Sequence, residues 1–262
     1  MFLSFRGGKI NYTDKGKGPV IILLHGYLET SEIWSSFGEK LAGDFRVIAM
    51  DLPGHGLSDV FGEVHTMEFM AEAVSGLLDH LKLSKVFITG HSLGGYVTLA
   101  FLELFPEYLS GYCLFHSHPL ADSEEAVKNR NREINLVQRG RKDHMYPGNV
   151  TKMFATSNIE KFSDAIQRSK ETSSSIPGEG IITVLRGMIA RPSRLEFMEK
   201  GSVPCLWILG RMDNYIPCEG IIEKVKLPSN ASLIILENSG HIGFVEEEDL
   251  SVKVIKEFVL KH

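Results

Sequence analysis

The sequence predicts an α/β fold: a mostly parallel sheet with helices on both faces, interrupted by one long helical insertion. Three observations carry that reading. Short apolar runs without polar alternation recur along the chain, the pattern of strands buried on both faces. Helix-period segments separate them, and strands alternating with helices imply parallel pairing through crossovers. One stretch, 119–195, holds no such run and reads as helical and polar throughout.

Taken in order, residues 2–6 and 9–13 read as a hairpin around Gly7-Gly8. Val20-Ile21-Ile22-Leu23-Leu24 is the first continuous apolar run, and others follow at 46–50, 85–89, 111–115, 205–209 and 232–236. The helical segments between them are 31–42, 67–81, 95–105, 218–225 and 245–260, the last with Glu246-Glu247-Glu248 at its start, where the dipole favours acidic residues. Within the insertion, Asp122-Ser123-Glu124-Glu125 has the look of a helix start with Asp122 as its cap, and Gly140 is a natural stop. Asn158 opens a second helix, and Pro177 a third across 180–190. A structureless loop of this length is uncommon in a compact domain. The predicted organisation is therefore a core of 1–118 and 196–262 with a helical cap, 119–195, inserted in it; a helical decoration with no part in substrate choice is the plainer alternative.

Bulk properties narrow the function. At 262 residues with ordinary composition, the chain can bury a sizeable core. A formal charge of −5 leaves no electrostatic footprint for nucleic acid or an anionic membrane. No apolar run approaches a membrane span, and the first residues lack the basic and apolar regions of a secretion signal. Cys113, Cys205 and Cys218 are few and not at metal spacing; the first two fall in predicted buried strands. His116 and His118 have no Cys or acidic partner at ligand spacing, so no metal site is expected. These readings favour a cytoplasmic, cofactor-free protein acting on a small molecule.

The chemistry concentrates in Gly90-His91-Ser92-Leu93-Gly94. A β-rich run precedes it and a buried helix follows, so Ser92 sits on a sharp strand-to-helix turn. Such backbone is tolerated when the residues two before and two after are small, here Gly90 and Gly94. A serine hydroxyl needs a base, and the base needs an orienting carboxylate. The next buried strand after the insertion leads into Arg211-Met212-Asp213, and the last strand into Glu237-Asn238-Ser239-Gly240-His241. Asp213 and His241 are thus the acid and base candidates, in loops where strand C-termini converge on one edge.

These motifs, in this order, resemble the α/β-hydrolase superfamily in its serine-nucleophile branch with a helical cap, and the resemblance covers essentially every core element. It implies that His25-Gly26-Tyr27 is the oxyanion loop, with the backbone N–H groups of Tyr27 and Leu93 holding the tetrahedral intermediate's oxygen. It also implies a structural turn at Asp51–Ser58 and a histidine loop at Gly240–Glu246. Members with an aspartate nucleophile open epoxides or displace halide; serine at position 92 instead favours attack at a carbonyl. Hydrolysis of a small carboxylic ester is the favoured function. Thioester cleavage, carbon–carbon bond hydrolysis and perhydrolysis use the same triad, and a slow-turnover ligand sensor of the same fold is the alternative from another class. His25 and His116 are candidate pocket-lining residues, with His118 packing under the cap, and His91 reads as structural. Arg130, Arg132, Arg139, Arg141 and Lys142 with Glu124, Glu125 and Glu133 read as a solvated helix face; a basic pocket for an acidic substrate is the alternative. The sequence does not give the oligomeric state.

Overall fold

The computed structural model describes residues 1–262, with the side chains of all but His144 and Met145. The strands are β1 (Phe2–Phe5), β2 (Gly8–Gly16), β3 (Val20–Leu24), β4 (Arg46–Met50), β5 (Val86–His91), β6 (Leu109–Phe115), β7 (Cys205–Gly210) and β8 (Ala231–Leu236). They form one sheet in the order β1-β2-β4-β3-β5-β6-β7-β8. The β1–β2 hairpin joins it antiparallel through β2 and β4, and every other pairing is parallel.

The apolar runs of β3 to β7 are unbroken because these strands are buried on both faces. Successive side chains point to opposite faces. Ile22, Leu24, Ile48, Met50 and Leu114 therefore pack on one side, against α2 (Met67–Leu81) and α3 (Leu93–Leu104). Ile21, Leu23, Val47, Phe87 and Phe115 pack on the other, against α1 (Ser35–Leu41) and Ile255 and Phe258 near the C-terminus. Helix α2 begins at Thr66, whose hydroxyl accepts the Phe69 N–H at 3.1 Å, and ends on left-handed Lys82.

Five helices fill the chain between β6 and β7: α4 (Glu124–Gln138), α5 (Lys142–Thr151), α6 (Ser163–Ser175), α7 (Gly178–Ala190) and α8 (Leu195–Lys200). Ser123, not Asp122, caps α4, accepting the Ala126 N–H at 3.2 Å. Asn158 closes a short 3-10 turn rather than opening a helix, because its side-chain amide donates to the Asn238 carbonyl and to Glu246. Helix α5, which holds Pro147 in its interior, was not among the predicted helices.

After β7, α9 (Cys218–Ile222) is shorter than the predicted 218–225. The predicted C-terminal helix is broken at Glu247 into α10 (Gly243–Glu246) and α11 (Glu248–Lys261). The break frees two consecutive glutamates for the loop before His241. Glu247 accepts from Asn238 N and Ser239 Oγ, and Glu246 from Gly240 N and Ala155 N. Glu246 is thus a buried carboxylate at the end of α10 that holds neighbouring loops, rather than part of the first turn of the long helix α11.

Helix α7 lies on the core through glycine. A Cβ at Gly187 would run into the His65 carbonyl, and one at Gly180 into Gly54. The Thr183 carbonyl also accepts the His65 N–H at 3.0 Å. Gly187→Ala should therefore destabilise the protein by about 1–3 kcal/mol, the usual range for overpacking. A denaturation midpoint equal to that of the parent would show that α7 can shift away from residue 65.

Candidate active site

Ser92 joins β5 to α3 with φ 47° and ψ −107°, a backbone that non-glycine residues rarely adopt. Surrounding contacts hold it there. The Ser92 N–H donates to the Phe115 carbonyl at 3.0 Å, and the Ser92 carbonyl accepts from Ser117 Oγ at 2.8 Å. A Cβ at Gly90 would collide with the Gly94 backbone and Thr98 Oγ1, and one at Gly94 with the carbonyls of Leu24 and His25. Both glycines are thus required by close approach. Helix α3 has no side-chain cap, so the Ser92 hydroxyl is not spent on it.

His241 follows β8 and lies buried beside Asp213, which follows β7; Nδ1 and Oδ2 are 2.7 Å apart. The other oxygen of Asp213 accepts the N–H groups of Tyr215 and Ile216 at 2.8 and 2.9 Å. Burial alone would raise the pKa of Asp213. The adjacent His241 and His116 outweigh it and hold the carboxyl well below the usual carboxylate range. Burial likewise would lower the pKa of His241, but the Asp213 charge and hydrogen bond leave it raised above the ordinary histidine value. An ionised carboxylate on Nδ1 fixes the tautomer in which Nε2 is the free base. Ser92 and His241 line the same cavity, of about 270 Å³. No hydrogen bond joins them among the described residues; catalytic contacts of this kind often tighten only with substrate present.

The N–H groups of Tyr27 and Leu93 have no hydrogen-bond partner among the described residues. The turn carrying Tyr27 is fixed by Glu29, whose buried carboxylate accepts the Gly26 N–H at 2.6 Å. The same oxygen lies 2.9 Å from His91 Nδ1, and His91 Nε2 lies 2.8 Å from the His241 carbonyl. Both ring nitrogens of His91 face acceptors, the Glu29 carboxylate and the His241 carbonyl. This buried pair ties the turn at Tyr27 to the loop of His241.

Two histidine expectations are corrected. His25 does not line the cavity: it is fully buried, accepts the Leu52 N–H on Nε2 at 2.9 Å, and donates from Nδ1 to the Gly26 carbonyl at 2.7 Å. His116 is also fully buried. Its Nε2 accepts the Gly243 N–H at 2.9 Å, which leaves the N–H on Nδ1, 3.5 Å from Asp213 Oδ2. Burial pushes its pKa down to about 4, so it stands under the acid as a neutral ring. His118 is the one that lines the cavity. It accepts the Leu120 N–H on Nδ1 and meets the Tyr96 hydroxyl at 3.2 Å, and burial and Arg191 hold its pKa near about 3.

Helix α4 is solvated on one side only. Arg132, Arg139, Glu124 and Glu125 are exposed, whereas Arg130 and Glu133 line the cavity. Asp122, read as a cap, binds Arg130 Nε at 2.6 Å and Arg191 Nη1 at 2.7 Å. Glu133 accepts from the Tyr27 hydroxyl at 2.7 Å, with the Tyr146 hydroxyl 3.1 Å beyond, and burial raises its pKa. The signal was present: Arg130 is four and seven residues before buried Ile134 and Val137, the spacing of one helix face. For Glu29 the sequence carries no such signal. A broader hollow of about 720 Å³ beside the β1–β2 turn is lined by neither Ser92 nor a histidine.

Sheet order, elbow and loop placement together define the α/β-hydrolase fold. A family model described as the alpha/beta hydrolase fold matches residues 19–133. In structure the chain is similar to a thermophilic esterase from Thermogutta terrifontis, with a TM-score of 0.91 and 28% identity over 99% of this chain and 96% of that one. In sequence it is 27% identical to a pimeloyl-[acyl-carrier protein] methyl ester esterase of Aeromonas hydrophila, over 93% of this chain and 96% of that protein. It is 26% identical to a 2-hydroxy-6-oxononadienedioate/2-hydroxy-6-oxononatrienedioate hydrolase of Dechloromonas aromatica, over 96% of this chain and 90% of that protein. Among the described residues no helix is long and apolar enough to cross a membrane, and no three His, Cys, Asp or Glu side chains group to hold a metal.

Proposed function

We propose that the protein is a serine hydrolase that cleaves a small carboxylic ester through Ser92, His241 and Asp213. The observation that carries this reading is the Asp213–His241 contact of 2.7 Å facing the same cavity as Ser92 on its strained turn. In the first half-reaction Ser92 Oγ attacks the ester carbonyl while His241 Nε2 takes its proton. The oxyanion is held by the Tyr27 and Leu93 N–H groups, each worth roughly a hundred- to a thousand-fold in rate. The C–O bond to the alcohol then breaks and His241 returns the proton to the departing oxygen. Water, deprotonated by His241, attacks the acyl-enzyme and releases the acid and Ser92. Helices α4–α8 act as a cap that supplies Arg130, Glu133, Val150, Met153 and Met188 to the cavity wall.

Steady turnover of p-nitrophenyl acetate or butyrate supports this reading, and its absence at high enzyme concentration overturns it. The pH dependence is also defined. His241 must be neutral to act as base, and its pKa is raised by Asp213. Activity should therefore fall as pH drops through a value above the ordinary histidine figure of about 6.5. A kcat/KM profile with its acid limb below that figure would contradict the assignment.

A second reading, carbon–carbon bond hydrolysis, is favoured by the similarity to the Dechloromonas aromatica hydrolase. Turnover of a vinylogous 1,5-diketone acid at a rate exceeding that of every simple ester would replace the ester reading.

A further inference from the structure

A second cavity, of about 540 Å³, runs alongside the catalytic one between the turn after β3 and helices α5 and α6. Its lining is mixed: Ile33, Phe154, Phe162, Ala165 and Phe244 are apolar, the buried carboxylate of Glu29 stands near the partition, and more exposed polar side chains such as Arg168 and Glu248 complete it. The two cavities share three residues: Leu28, Val150 and Met153 line both. All three are buried and form the partition between the two cavities. Leu28 directly follows Tyr27, which puts the partition at the turn that carries the proposed oxyanion donor. The wall of the catalytic cavity is mixed: Asp122, Arg130 and Glu133 are charged, whereas Leu28, Val150 and Met153 are aliphatic.

We infer that the partition is a gate and the second cavity a chain-binding groove, taking a flexible apolar arm of the ester whose carbonyl lies at Ser92. The substrate class is then esters with a medium to long alkyl chain. An aliphatic chain laid against Asp122, Arg130 and Glu133 would strip water from polar groups, so it turns toward Leu28, Val150 and Met153. Met153 is unbranched and adaptable, the side chain best suited to swing aside. Its backbone carbonyl meanwhile stays engaged with the His241 N–H at 2.6 Å, so moving the side chain leaves the base in place. Beyond the partition each methylene finds the apolar part of the lining, worth roughly three- to fourfold in kcat/KM.

This inference rests on the ester reading, and its test separates the two. Two substrate series distinguish the acyl arm from the alcohol arm: p-nitrophenyl esters from acetate to dodecanoate, and acetates from methyl to decyl. In one series kcat/KM should climb with chain length past hexyl. Ala165→Trp, which fills the groove beyond the gate, should lower the ratio of decyl-chain to acetyl activity at least tenfold, and Met153→Ala should raise it. Chain-length ratios unmoved by both variants, with intact circular dichroism, overturn the groove while leaving the esterase standing. Binding of ethyl octanoate to Ser92→Ala protein by calorimetry tests the groove without turnover. It should weaken at least tenfold on adding Ala165→Trp, and equal affinities in the two proteins overturn the inference even if no ester is hydrolysed.

Discussion

Ser92→Ala should reduce p-nitrophenyl acetate turnover by roughly a million-fold, the loss seen when a triad nucleophile is removed. The expectation follows from how the residue is held. Its backbone does the structural work, through Phe115 and Ser117, while the hydroxyl makes no hydrogen bond among the described residues. Alanine keeps the backbone contacts and the strained φ, so the thermal midpoint should stay within a degree or two of the parent. Activity lost without stability lost is the diagnostic pair. Turnover surviving above about 1% of the parent, well over the residue expected from binding and oxyanion contacts alone, would place the nucleophile elsewhere.

Asp213→Asn should cost about ten-thousand-fold in kcat, with a smaller change in KM. The amide oxygen can still accept the Tyr215 and Ile216 N–H groups, so the loop geometry is kept. The amide nitrogen then faces His241 Nδ1 and turns it into an acceptor. The ring proton moves to Nε2, where it meets Ser92 as a donor and cannot take the hydroxyl proton. The variant should also lower the acid limb of the pH profile, because the charge that raises the His241 pKa is gone. A fall in kcat without movement of that limb would mean that the Asp213 charge is not what sets it.

Much of this was legible in the residue pattern, and what was not has identifiable causes. Strands β3 to β7 announce themselves because burial on both faces leaves no polar alternation. Ser92, Asp213 and His241 were candidates because each follows a strand of the sheet; Ser92 and His241 line one cavity, and Asp213 lies behind His241, 2.7 Å from its Nδ1. Helix α5 was not named; it carries Pro147 inside it, and a proline removes only one hydrogen bond from a short helix. His118 and His116 exchanged roles because His116 takes φ 47°, which turns its ring inward beneath Asp213. Asp122 was misread because Ser123 beside it is an equally good cap and left the carboxylate free for two arginines. Glu29 could not have been found, since its partners lie 62 residues away on His91 and on the local turn.

The Glu29–His91 pair has a consequence for anyone altering this enzyme. Positions 26 to 29 and position 241 are not independent variables: one carboxylate oxygen and one imidazole connect the turn bearing the proposed oxyanion donor to the loop bearing the proposed base. Single substitutions at either end should look uniformly damaging, and a one-site-at-a-time survey would classify both as immutable. Paired libraries that vary residues 29 and 91 together would instead find the neutral couples, such as glutamine facing asparagine, that re-link the two loops without charge.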